Sequence, residues 1–186
     1  MLVRWFASSW HFDDAEAALS TITPDLEHIQ GAAAIAYAYL SAGRITEAIA
    51  LYEKVITDST RILGQDHPHT LTSRNNLAGA YREAGRITEA IALLEQVITD
   101  STRILGQNHP HTLASRNNLA GAYRETGRIT EAIALYEKVL TDRTRILGKD
   151  HPATLETLNA LAGAYKDAGF LNKATALLEG ETPPEG

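Results

Sequence analysis

The chain has no cysteine, one methionine, two tryptophans and three phenylalanines among its 186 residues. Without cysteine there is no disulfide framework and no thiolate metal site. Charge of one sign is not concentrated anywhere. The 17 Lys and Arg are interspersed with 23 Asp and Glu, the formal net charge is −6, and no basic run gathers phosphates. Nucleic acid is therefore not an expected partner. The N-terminal stretch MLVRWFASSWHFDD is broken by Ser9, His11, Asp13 and Asp14, too short and too interrupted for a signal segment or a spanning helix. The expectation is a soluble, cytoplasmic protein with no membrane partner. Motifs for chemistry are missing as well: no Gly-rich phosphate loop, no nucleophile elbow and no HExxH helix. Neither an enzyme nor a cofactor is expected.

What the chain does contain is repetition. LGQDHPHTLTSRNNLAGAYREAGRITEAIALLEQVITDSTRI begins at Leu63 and returns almost letter for letter at Leu105, a period of 42 residues, and a third copy starts at Leu147. The two complete copies differ at seven places, such as Asp66/Asn108, Leu94/Tyr136 and Ser101/Arg143. A period in this range marks stacked helical units, none of which buries its apolar face without its neighbours. With 44% apolar residues, the chain has enough material for a continuous core.

Each unit reads as two helices. Leu71, Ala78 and Tyr81 share one face until Gly85 ends the run; Ala90, Leu94 and Val97, with Ile91 and Ile98, form the stripe of a second helix that continues to about Leu105. Pro68, Pro110 and Pro152 stand where a first helical turn needs no backbone donor, so each His-Pro pair predicts a helix start. The expected organisation is one array over 1–180: a partial unit at 1–24, full units at 25–63, 64–105 and 106–147, a last unit at 148–180, and a disordered tail at 181–186. Within the first of these, 10–24 carries the spacing of a second helix and 2–9 the stub of its partner.

The spacing of Leu77, Ala78, Tyr81, Gly85, Ala90, Leu94 and Val97 resembles the tetratricopeptide repeat. The longer period and the LGxDHPxTL and NNLAxAY segments are similar to kinesin light chain repeats, and to the long repeats that follow NB-ARC-type NTPase modules in bacterial signalling proteins. The resemblance covers nearly all of residues 10–179. It implies an all-α, right-handed superhelix of antiparallel helix hairpins, with the first helix of each pair lining a concave groove that holds a peptide. The NTPase module is absent, and the first unit lacks the paired Asn, so cargo specificity does not carry over.

If Leu71, Ala78 and Tyr81 face inward, then Asn75, Asn76, Gly79, Arg82 and Glu83 fall on the other face of that helix. The same face recurs as Asn117, Asn118, Gly121 and Arg124, and again as Asn159, Gly163, Lys166 and Asp167. Asparagine is an indifferent helix former, and a ladder of amides offers a donor and an acceptor to each peptide unit of an extended segment. The alternative is that one Asn of each pair bonds a neighbouring helix. Gly79, Gly121 and Gly163 each cost about 1 kcal/mol relative to Ala inside a helix. Either they leave clearance for a bound backbone or they permit close contact between units. The row Arg82, Arg124 and Lys166 suggests attraction for acidic peptides, against ordinary pairing with nearby carboxylates.

The five loop histidines His67, His69, His109, His111 and His151 are better explained by turns and helix starts than by metal, since i and i+2 are not helix neighbours and no further ligand completes a site. Trp5, Phe6, Trp10 and Phe12 crowd into the first twelve residues. They either pack on the first hairpin or make a sticky patch, so a homodimer through this segment or the array ends is the second expectation. The leading one is a protein-protein interaction scaffold that binds an extended peptide. A metal-dependent hydrolase, the third reading, would have only the histidines and scattered carboxylates to work with.

Overall fold

The structure is a computed structural model that describes residues 26–179. The helix expected at 10–24, its partner stub, the N-terminal aromatic cluster and the tail at 181–186 lie outside the described residues. Among the described residues there are eight helices and no strand: α1 (Leu26–Ser41), α2 (Ile45–Leu63), α3 (Pro68–Glu83), α4 (Ile87–Leu105), α5 (Pro110–Glu125), α6 (Ile129–Leu147), α7 (Pro152–Asp167) and α8 (Leu171–Glu179). They form four consecutive hairpins. Residues fall into two compact units that divide inside α4, between Asp100 and Ser101.

The punctuation works as the residues predict. Pro68, Pro110 and Pro152 each open a helix, and the preceding histidine caps it: Nδ1 of His67, His109 and His151 accepts from the backbone N–H two residues on, at 3.1–3.2 Å. This satisfies one of the orphan donors at each helix start. Thr70 and Thr112 close the turn by donating their hydroxyls to the carbonyls of Gly64 and Gly106, both at 2.9 Å.

At the other end of each first helix the chain makes a Schellman turn. Gly85 has φ 74°, its N–H bonds the Arg82 carbonyl, and the Arg86 N–H bonds the Tyr81 carbonyl at 2.8 Å. Such turns favour a side-chain contact between those last two positions. Here a guanidinium supplies it: Arg44, Arg86 and Arg128 lie over the rings of Tyr39, Tyr81 and Tyr123 at 3.8–4.4 Å from the centroids. Each arginine is also paired to a glutamate three residues on, Glu47, Glu89 or Glu131, in the first turn of the next helix. A carboxylate there suits the positive helix terminus; the arginine's hydrogen bond holds Glu89 and Glu131 below the usual carboxylate range, and Glu47 is lowered first by a backbone hydrogen bond and then by Arg44. In the last hairpin Phe170 stands where the arginine would be and packs edge-on against Tyr165.

Apolar residues then close the layers. In the first unit Ile29, Ile35, Ala36, Tyr39, Ala48, Tyr52, Val55, Leu77 and Ala80 form one core from α1, α2 and α3. In the second, Ala120, Ala132, Tyr136, Leu161, Ala162, Ala164, Tyr165 and Ala174 join α5 to α8. Alanines recur in both cores, where a small side chain permits close helix contact. One polar link recurs in both units: Tyr81 donates to Glu53 at 3.1 Å, and Tyr165 to Glu137 at 2.6 Å. It ties a first helix to the second helix of the preceding hairpin. Burial, with that hydrogen bond, pushes the Tyr165 phenol up to about 12. No helix among the described residues is long and apolar enough to cross a membrane.

Candidate functional site

The face expected to bind divides into positions that the protein uses itself and positions that it leaves open. Asn117 belongs to the first kind. It is buried, 7% exposed; its Oδ1 accepts from the Thr157 hydroxyl at 3.0 Å, and its Nδ2 donates to Glu156 Oε1 at 3.4 Å. Its amide therefore joins α5 to α7. The alternative weighed for one Asn of each pair, a bond to a neighbouring helix, describes this residue. Asn159, at the same place one repeat on, is exposed, and Asn75, one repeat back, is half-buried.

Arg143 completes the network around Asn117. Its Nη1 donates to the Ala153 carbonyl at 2.7 Å and to the Thr157 hydroxyl at 2.6 Å, with Glu156 at 3.7 Å. Burial lowers the guanidinium pKa and Glu156 opposes that. One repeat earlier the same two positions are Ser101 and His111, whose side chains meet at 3.2 Å. Serine with histidine has thus become arginine with alanine: loss of the imidazole at 153 leaves room for the longer side chain at 143. The Ser101/Arg143 exchange was visible in the sequence, but its pairing with His111/Ala153 was not, since ten residues separate the two.

The second residue of each pair is Asn76 on α3 and Asn118 on α5. Asn76 and Asn118 are half-buried. Beside Asn76 lies the Tyr52 hydroxyl, which is buried and completes no hydrogen bond of ordinary geometry. Burial raises the Tyr52 phenol well above its usual range, the neighbouring Tyr37 phenol adds to that, and the Asn76 amide opposes it.

The helical glycines separate just as sharply. A methyl group added at Gly163 would lie 2.9 Å from Arg124 Nη1 and 3.1 Å from Cζ. The guanidinium rests directly on this glycine, and its Nε donates to Asp167 Oδ2 at 2.5 Å. Asp167 is held below the usual carboxylate range by that bond. At Gly79 the same added methyl would meet no atom within 4 Å. Gly121 is buried. Of the basic row, Arg124 is therefore committed to a carboxylate of the next repeat, Lys166 is exposed and Arg82 is half-buried.

His67, His109 and His151 are helix caps, whereas His69 and His111 lie in the first helical turn and meet Gln30 and Ser101, each at 3.2 Å; among the described residues no three His, Asp or Glu side chains gather as a metal site. An open polar groove of about 710 Å³, not expected from the sequence, lies between α2 and α4, lined by Thr60, Arg74, Glu95, Gln96, Thr99 and Asp100 among others. Arg74 and Asp100 pair there at 2.7 Å.

The tetratricopeptide repeat family profile matches residues 29–103, 76–142 and 111–179 in overlapping segments. Among solved structures, a Podosopora anserina protein given as a kinesin light chain with nearly identical TPR-like repeats is 32% identical, with 96% of this chain and 89% of that one covered and a TM-score of 0.74. A point variant of that protein is 31% identical over the same shares, with a TM-score of 0.76. BtubC (BKLC) from P. vanneervenii shares the fold at 21% identity, covering 100% of this chain and 81% of that one with a TM-score of 0.77. No curated protein sequence matches. With the profile spanning the hairpins from end to end of the described residues, the chain belongs to the tetratricopeptide repeat family, and its repeats are of the kinesin light chain kind.

Proposed function

We infer that this protein binds an extended segment of a protein partner on the face of α3 that carries Asn76, Gly79 and Arg82; the second unit presents the corresponding Asn118 and Arg124 on α5. Tetratricopeptide repeats generally mediate protein-protein interactions, and the finer reading concerns where and how this one does so. The observation that carries it is Gly79. A glycine inside a helix costs about 1 kcal/mol relative to alanine, and no neighbouring group of the protein occupies the space it opens. A bound segment would use that clearance, with the Asn76 amide, one turn away, offering both a donor and an acceptor.

Arg124 does not support a preference for acidic segments, because Asp167 already holds it. That preference would rest on Lys166, which is exposed. The test is selection of extended peptides from a random display library on the immobilised protein, followed by measurement on the Asn76→Ala, Asn118→Ala double variant. Loss of two amide contacts worth about 0.5–1.5 kcal/mol each predicts affinity lower by about fivefold or more, with the helical circular dichroism unchanged. Undiminished capture by the double variant would refute the amide ladder.

A further inference from the structure

The chain carries its own example of what the glycine-bearing face receives. Arg124, near the end of α5, lays its guanidinium on Gly163 of α7 and donates to Asp167, four residues after that glycine. A bare helical glycine followed one turn later by a carboxylate is thus a working seat for a guanidinium: the missing Cβ admits the flat group, and the acid closes on it. One-turn spacing puts both on the same helix face.

The same seat exists on α3 as Gly79 and Glu83, and it lacks its arginine. The position that corresponds to Arg124 at this step is Leu40, on α1, which packs half-buried against the core of the first unit. Gly79 is accordingly uncovered, with no atom within 4 Å of where a methyl would stand. Glu83 is exposed, and none of the ion pairs or side-chain hydrogen bonds of the described residues includes it. Arg82 stands on the same helix face, and two further groups here suit a cation. Tyr37, one turn before Leu40, is 63% exposed, and tyrosine faces attract guanidinium groups. Asn76 lies one turn before Gly79, with the unsatisfied Tyr52 hydroxyl beside it.

We propose that Gly79 and Glu83 receive the guanidinium of an arginine in the bound protein segment, in the way Gly163 and Asp167 receive Arg124. This rests on the groove reading above and names the chemistry of its partner: a segment with an arginine placed to reach α3. A forked, charge-assisted pair with Glu83 supplies the selectivity, since lysine presents a point charge without the plane that fits the bare glycine.

The test uses the full chain, isotope-labelled for amide NMR, and two blocked peptides, Ala-Ala-Arg-Ala-Ala and its citrulline counterpart, which keeps the shape and loses the charge. The arginine peptide is expected to shift the Asn76, Gly79 and Glu83 amides saturably, and the citrulline peptide to bind about tenfold more weakly or worse. Glu83→Gln should abolish the difference between the two peptides. Gly79→Ala should weaken the arginine peptide by a similar factor while the helical signal stays intact, and Leu40→Arg should block it by filling the seat from within. Equal saturable shifts from both peptides would overturn the arginine seat and leave the groove standing. No shift at these three amides from the arginine peptide would also overturn the seat, and if the library-selected peptides shift none of them either, the groove reading fails with it.

Discussion

Two glycines with the same neighbours in sequence have opposite neighbours in space. Gly163 sits under a guanidinium, and Gly79 sits under nothing. Their substitution by alanine should therefore part company. At Gly79 the new methyl enters open space and the helix gains the full propensity difference, so Gly79→Ala is expected to stabilise the protein by up to about 1 kcal/mol. At Gly163 the methyl would stand 2.9 Å from a nitrogen of Arg124 and lift the guanidinium away from Asp167. The gain in propensity is then offset by a displaced ion pair, and Gly163→Ala should be near neutral or destabilising. Urea denaturation of the two variants checks this; equal effects would mean that the contact at Gly163 carries no energy. A stabilising change at Gly79 that also weakens arginine binding would separate function from folding at one residue.

At the scale of helices and turns, the chain solves the same joint in two ways. A Schellman turn is often accompanied by a side-chain contact between the two residues joined by its longer hydrogen bond, and either arginine over tyrosine or phenylalanine against tyrosine provides it. The link from α5 to α7 through Arg143, Thr157 and Asn117 likewise has a counterpart one repeat earlier in Ser101 and His111. Arg143→Ser removes a buried donor from two acceptors and leaves a void, so a loss of about 1–3 kcal/mol is expected. Adding Ala153→His to that variant rebuilds the serine-histidine pair and should recover a substantial part. Chemical denaturation of the single and double variants measures both. A double variant no better than the single one would show that the two positions are not a coupled pair.

Across the whole molecule, near-identity of the repeats conceals one break in the pattern. Basic residues occupy the ends of α3, α5 and α7 as Arg82, Arg124 and Lys166, whereas α1 has Leu40 there. That exchange leaves Glu83 without a cation partner among the described residues, in a chain whose net charge is already −6. A basic segment should thus be attracted from a distance as well as held locally. Raising the ionic strength from about 0.01 M to about 0.15 M shortens the Debye length from about 30 Å to about 8 Å. The association rate of an arginine-bearing peptide is expected to fall several-fold over that range, with the dissociation rate changing less. Stopped-flow fluorescence with a labelled peptide reads both, and a salt-independent association rate would argue against a cationic partner.

The helix starts at Pro68, Pro110 and Pro152, the glycine stops and the pairing into hairpins were all legible in the sequence, because caps, turns and apolar periodicity are local effects that act over a few residues. Which side chains of each first helix stay available was not legible. Asn76 and Asn117 are both drawn from the same repeated Arg-Asn-Asn-Leu, yet one lies beside an unsatisfied phenol and the other is held between Thr157 and Glu156. Gly79 and Gly163 share the same two residues on either side, yet a residue 39 positions upstream, leucine for one and arginine for the other, decides whether each is bare. The sequence by itself determined the fold and the repeat of its surface; only the packing of one hairpin on the next decided where that surface is left unfinished, because the groups that cover each position come from a different helix.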